Sequence, residues 1–298
     1  MDPVTINELE VDHLNIDDKV SASLIQDIEF QQSKRKKIVL FPKQFRELWR
    51  YRELAIELFW TYLKLRYVGS VLGFIWTMLN PLLYIGTYWL VFSYIVRMGL
   101  PNYPLFLIPG FLAWNFTFGS IISASESILN SQHLITKIAF PIEIPTLVSV
   151  AVNLFDFLVS LALYLTAIII LPPRIPLTVL ALPVVILTQI LFTIGVALIV
   201  ASGSVFFRDI PKLIPVLGNI MFFLTPIFYT ISFVPVSLQP LLKINPMTHI
   251  VTFYHNLLYE QIWPNLLDFG IILLISVLFF GISYWIFDRK RHSLAELS

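Results

Sequence analysis

The stretch from Leu177 to Phe207 most constrains this chain: thirty-one consecutive residues without one acidic or basic side chain. A helix needs about 20 mostly apolar residues to cross a hydrocarbon core of about 30 Å. This run exceeds one straight crossing, so it is expected to tilt or to extend past the lipid. Five other apolar runs accompany it, at Val71–Val96, Pro104–Ala124, Pro145–Leu171, Ile214–Tyr229 and Leu266–Phe287. The expected architecture is therefore all-α and membrane-integral, with six transmembrane helices. Pro109-Gly110 and Pro226 are expected to interrupt the second and fifth spans, which lipid tolerates only where neighbours or water satisfy the freed backbone. Hydrophobic types make up 57% of the residues and charged types 13%, against roughly 45–50% and 25% in an ordinary soluble domain. A soluble enzyme and a disordered chain are excluded, and the absence of cysteine excludes a disulfide scaffold and thiolate chemistry.

Orientation follows from the basic residues. With six crossings, seventeen of the twenty Lys and Arg fall on one side: those before the first span, Lys137, Arg208, Lys212 and the Arg289–Arg291 cluster. Only Arg97, Arg174 and Lys243 fall on the other. Both termini are expected to be cytoplasmic in a multi-pass membrane protein. Residues 1–33 carry eight acids and one Lys and read as a flexible acidic tail, not a signal peptide. A basic segment and an amphipathic helix are expected over 34–67, and the six-span domain over 68–298. The Lys34–Lys37 run suits anionic headgroups rather than nucleic acid.

Within Lys43–Arg66, Phe45, Leu48, Trp49, Ile56, Phe59, Tyr62 and Leu63 recur at spacings of three and four, with charges mainly opposite. Such a helix lies in the headgroup plane, either as a plain anchor or as a lever acting on the first span. The loop Glu126–Pro141 reads as a short cytoplasmic helix, a contact for a partner or a simple connector. Thr248–Tyr259 is a helical pattern about half the crossing length. It is expected to be re-entrant and packed on protein, where it would close the outer end of a pathway. Asn115, Asn153, Asp156 and Gln189 are the main polar groups inside the spans. Asp156 is expected to stand without an intramembrane cation to pair with, so a structural role weighs at least as much as a functional one.

Tyr84, Tyr88 and Phe92 recur at i, i+4 and i+8, and Phe222, Phe223, Phe228 and Tyr229 cluster in the fifth span. Aromatic faces suit the apolar faces of sugar rings, while interfacial belts and helix packing are the ordinary alternative. No phosphate loop and no HExxH motif occurs, and His249 and His255 lack a third ligand. The chain is expected to be non-catalytic and metal-free, its energy supplied from outside.

Arg66–Leu83 (RYVGSVLGFIWTMLNPLL), Leu134–Pro145 (LITKIAFPIEIP), Phe206–Tyr229 (FFRDIPKLIPVLGNIMFFLTPIFY) and Ile244–Tyr259 (INPMTHIVTFYHNLLY) occur in order. Together they resemble the ABC type-2 permeases that export cell-surface polysaccharide, the Wzm-like O-antigen, capsule and teichoic acid group, over about residues 43–290. The resemblance implies a homodimer over two copies of a cytoplasmic ABC ATPase that carries ATP and Mg, with no cofactor in this chain. It implies a coupling helix over Asn130–Ala139, with Gln132, His133, Leu134 and Lys137, and an interface helix over Lys43–Thr61. Arg46, Arg50, Lys64 and Arg66 would meet the phosphate of a lipid-linked glycan. Arg208 and Asp209 would stabilise the cytoplasmic end of the fourth span. Pro240–Tyr259 would form external gate helices, with Pro246, His249, Phe253 and Tyr254. Tyr84, Tyr88, Phe92, Phe222, Phe223 and Tyr229 would line the channel. A permease for a drug or small lipid, a membrane enzyme of lipid-linked sugar assembly, and a secondary transporter are the rival readings; the last lacks paired repeats and coupled acids.

Overall fold

The computed structural model describes residues 48–132, 140–170 and 176–297. The chain divides into two compact units, 1–50 and 51–298. Of the first, only the helical residues 48–50 are described, so the expected tail, basic segment and Arg46 lie outside the described residues. The second unit contains nine α-helices among the described residues, and no strand. They are α1 (Arg52–Tyr67), α2 (Trp76–Leu90), α3 (Tyr103–Asn130), α4 (Glu143–Ile170), α5 (Leu182–Phe206), α6 (Ile210–Leu224), α7 (Gln239–Ile244), α8 (Pro246–His255) and α9 (Leu266–Leu297).

Among the described residues, four segments are long and apolar enough to cross a membrane: Tyr103–Asn130, Glu143–Ile169, Leu177–Phe206 and Leu266–Arg289. The other two expected spans take different forms. The first is a relay of a 3-10 turn (Gly73–Ile75), α2 and a π turn (Val91–Ile95). It ends where Arg97 and Gly99 adopt left-handed backbone. The fifth is shifted from Ile214–Tyr229 to Ile210–Leu224. Pro226 is the reason: it forces Thr225 into extended backbone at φ −99°, ψ 135°, because the α conformation before a proline clashes with its ring. At 15 residues, α6 is only about 22 Å long at 1.5 Å per residue.

Pro109 does not break the second span. α3 runs through it for 28 residues. A proline inside a helix lacks the N–H that would bond the carbonyl four residues earlier, here that of Leu105. The Tyr164 hydroxyl, from α4, donates to that carbonyl at 2.9 Å instead. The same device recurs where backbone is not α-helical. Tyr103 Oη donates to Phe228 O at 2.9 Å, Thr178 Oγ1 to Leu257 O at 2.6 Å, and Tyr259 Oη to Pro101 O at 2.7 Å. Irregular backbone at membrane depth is tolerated when protein groups complete its hydrogen bonds in this way.

α3 is the hub, packing against α2, α4, α5, α6 and α8. Leu107, Ala113 and Ala124 on it are fully buried. α5 pairs along its length with α9. Gly195 permits their close approach, since a Cβ there would come within 3.1 Å of the Phe280 backbone nitrogen. α8 is enclosed rather than peripheral: Ile250, Val251 and Tyr254 are fully buried. The interior face of α1 is rotated from the expected one. Leu58 and Leu63 are buried against α4, whereas Trp49 in the first unit and Ile56 and Trp60 on α1 are exposed. Pairing of Phe59 with Phe155, and of Tyr62 Oη with Ser131 Oγ at 2.8 Å, selects the buried side of α1.

Candidate functional site

A cavity of about 740 Å³ opens between the end of α1 and helices α2, α3, α4 and α6. One wall is aromatic. Tyr84 and Tyr88, one turn apart on α2, lie with ring centres 6.3 Å apart and nearly parallel. Tyr88 meets Phe111 of α3 at 5.7 Å and Phe222 of α6 at 5.8 Å. Trp114, one turn beyond Phe111, stacks on Phe118 at 4.8 Å and 9°. Gly218 makes room for Phe118, because any Cβ at Gly218 would overlap that ring. The lining also carries polar side chains: Asn80, Asn115, Asn153, Asn219, Arg66 and Asp156.

Arg66 and Asp156 form an ion pair, and Arg66 Nη2 also donates to Asn153 Oδ1 at 3.2 Å. This corrects the expectation that Asp156 has no cation nearby. Its partner comes from the end of α1, ninety residues earlier in the chain. Asn153 is fixed in turn by donating to Ser149 O at 2.8 Å and Ser123 Oγ at 3.3 Å. A planar guanidinium suits such a carboxylate–amide pair because its donors lie in one fork.

Among the expected channel aromatics, Tyr84, Tyr88 and Phe222 line this cavity. Phe92, Phe223 and Tyr229 do not, and sit on an adjoining cluster around Phe228. Phe92 stacks on Phe228 at 4.8 Å and 12°, and Phe223 meets it at 6.0 Å. Tyr229 Oη donates to Phe223 O at 2.9 Å. Tyr88 joins the two groups, 4.9 Å from Phe228. Phe111, Trp114, Asn80 and Asn219 went unpredicted as site residues. The i, i+3 spacing of Phe111 and Trp114 was the signal available for two of them.

The other expected residues fall elsewhere. Lys64 is exposed on α1, and Arg50 is exposed in the first unit. Gln132 follows α3 and, with Glu126, Arg208 and Lys212, lines a second cavity of about 460 Å³. His133, Leu134 and Lys137 lie outside the described residues. Asp209 sits in the turn between α5 and α6, and its carbonyl accepts from the backbone N–H groups of Lys212 (3.0 Å) and Leu213 (3.1 Å). Its structural effect is thus on the start of α6.

Pro246 opens α8 behind Asn245, whose side chain accepts from Met247 N at 3.0 Å, the usual capping arrangement. His249 Nε2 bonds Lys243 O at 2.8 Å. Phe253 packs on Phe269 at 5.5 Å. Tyr254 donates to Gln189 Oε1 at 2.7 Å, and Gln189 Nε2 donates to Ala113 O (2.7 Å) and Thr117 Oγ1 (2.9 Å). Gln189 and Tyr254 are fully buried, so this network seats α8 on α3 and α5. Among the described residues, no three His, Asp or Glu side chains converge as a metal site.

Long apolar helices around a cavity lined by aromatic and polar side chains make a membrane-embedded protein. Residues 53–259 match the ABC-2 type transporter family, and the chain belongs to that family. It is 34% identical over 253 residues to the O-antigen export system permease protein RfbA of Myxococcus xanthus, covering 84% of this chain and 97% of that protein. An O-antigen export system permease protein RfbA of Klebsiella pneumoniae is 27% identical over 236 residues, covering 79% and 91%. The polysialic acid transport protein KpsM of Escherichia coli is 24% identical over 229 residues, covering 74% and 86%.

Proposed function

We propose that this chain is the non-catalytic permease subunit of an ATP-driven exporter, moving lipid-linked polysaccharide of the O-antigen type across the bacterial cytoplasmic membrane. The observation that carries this reading is the aromatic wall of Tyr84, Tyr88, Phe111, Trp114 and Phe222 on a cavity of about 740 Å³, in a chain similar to O-antigen export permeases. Aromatic faces hold sugar rings by shallow apolar contact, and a conduit must bind weakly at many points so that its cargo can leave.

In this reading the chain crosses six times with both termini inside. α2 serves as the first crossing and α6 as the fifth, each extended by the turns that flank it. Two copies pair over two copies of a cytoplasmic ATPase that holds ATP and Mg. The Gln132–Lys137 segment receives the ATPase's motion, with His133 and Leu134 between, and α1, which carries Lys64, passes it to α2. The continuity of α1 with α2 through Gly69 and Gly73, both at positive φ, supports such a joint. Arg46 and Arg66 meet the lipid phosphate, and Pro246–Tyr254 with His249 and Phe253 gates the outer end. The test is deletion of the chain in its native cell. The expected result is loss of surface glycan with lipid-linked glycan accumulating on the inner face, both reversed by the intact chain. Unchanged surface glycan would overturn the proposal.

A further inference from the structure

Three asparagines stand out in the cavity lining. Asn80 on α2, Asn115 at the middle of α3 and Asn219 on α6 are all exposed, all line the one cavity, and none hydrogen-bonds a described residue. The exposed positions next to Asn80 and Asn219 are apolar. Leu82 and Leu83 flank Asn80's turn, and Leu217, Ile220 and Met221 surround Asn219. A carboxamide has two donors and an acceptor oxygen with two lone pairs. Facing hydrocarbon, each would leave all of these unsatisfied, a costly arrangement at membrane depth. Three such groups on three helices, turned to one cavity and not scattered over the lipid face, mark that cavity as wet.

The chemistry of the lining, amides one turn from aromatic rings on α2 and α6, narrows what fits. Tyr84, Tyr88, Trp114 and Phe222 offer flat apolar faces, and the amides offer paired donors and acceptors. A pyranose presents these same two surfaces, C–H faces and hydroxyl edges. We propose that Asn80, Asn115 and Asn219 form a water-filled hydrogen-bonding face that receives the hydroxyl edges of the glycan while the aromatics hold its ring faces. The inference rests on the export reading above. Aromatic stacking alone leaves the hydroxyl edges desolvated, and the amides supply replacement partners without a net charge that would arrest a moving chain.

Because the chain has no cysteine, single thiols can be placed at will. The experiment uses the full transporter in membrane vesicles, from cells making the glycan and from cells unable to add its first sugar. Asn80→Cys, Asn115→Cys and Asn219→Cys are treated with a charged, water-soluble methanethiosulfonate, with Leu217→Cys as an off-cavity control on α6. Only a thiolate reacts, and a thiol ionises only where water reaches it. In glycan-free vesicles the three cavity thiols are expected to label at least tenfold faster than the control, and several-fold slower when the glycan is present. In cells, Asn115→Leu with Asn219→Leu is expected to cut exported glycan about tenfold at equal membrane abundance, while Asn115→Gln retains most of it. Labelling as slow as the control in both preparations, as for amides sealed against a second copy, overturns the inference. So does labelling indifferent to the glycan. If deletion of the chain abolishes surface glycan while these results fail, only the asparagine face falls; if deletion changes nothing, the export reading itself falls.

Discussion

Replacing Tyr164 by Phe should reveal how α3 carries a proline through its apolar length. Tyr164 is 5% exposed, and its hydroxyl donates to the Leu105 carbonyl at 2.9 Å. That carbonyl has lost its helical partner because Pro109 has no N–H. A buried acceptor left without a donor costs about 1–3 kcal/mol, and interhelical hydrogen bonds within membranes average about 0.6 kcal/mol and reach about 1.7 kcal/mol. The expected loss is therefore about 1–2 kcal/mol. The decisive comparison is Tyr164→Phe in a Pro109→Ala background, where residue 109 regains its N–H and closes the helix by itself. There the loss of the hydroxyl should shrink to a few tenths of a kcal/mol, giving a coupling of about 1 kcal/mol in a double-mutant cycle. Thermal unfolding of the purified chain in detergent reads this out, at about 2–4 °C per kcal/mol for a chain of this order of size. Equal destabilisation in both backgrounds would refute the account, because the tyrosine would then be acting through packing alone.

The Gln189 network makes a second case. Gln189→Leu strands the buried Tyr254 hydroxyl, so it should cost about 2 kcal/mol, more than Tyr254→Phe at about 1 kcal/mol, as read by the same melts. Loss of Gln189's side chain should also raise proteolysis within residues 246–260 under limiting protease. Gly218→Ala should expel Phe118 from its stack on Trp114, lowering both membrane abundance and exported glycan, whereas Gly270→Ala, with open space around its Cβ, should change neither. Asp156→Ala should reduce abundance by leaving Arg66 without its carboxylate, and Arg66→Asp with Asp156→Arg should restore it, as quantified by immunoblotting of membranes.

Much of the helical plan was readable from local pattern alone. Leu177–Phe207 declares itself by a run without any charge, Leu266–Phe287 by an apolar run interrupted only by Asp268 near its start, and Thr248–Tyr259 by being too short to cross. What local pattern misses is compensation from afar. Pro109 reads as a break because nothing near it announces Tyr164, fifty-five positions later. Asp156 reads as solitary because Arg66 belongs to a different helix ninety residues away. Pro226 shows the converse: its effect is local, and it ends α6 earlier than hydropathy implies. In the site, the Tyr84–Tyr88–Phe92 face was visible as a helical stripe. Its division between the cavity and the Phe228 cluster depends on the fold-back after Thr225, which no periodicity encodes.

Gly195 has a mechanical consequence. By letting α5 and α9 touch backbone to backbone, it turns them into a single stiff pillar, with α3 braced against one side. α2 and α6, by contrast, flank the cavity as short rods that meet few neighbours. On the export reading, any widening of the cavity would fall to α2 and α6, because α5 and α9 are already locked to each other.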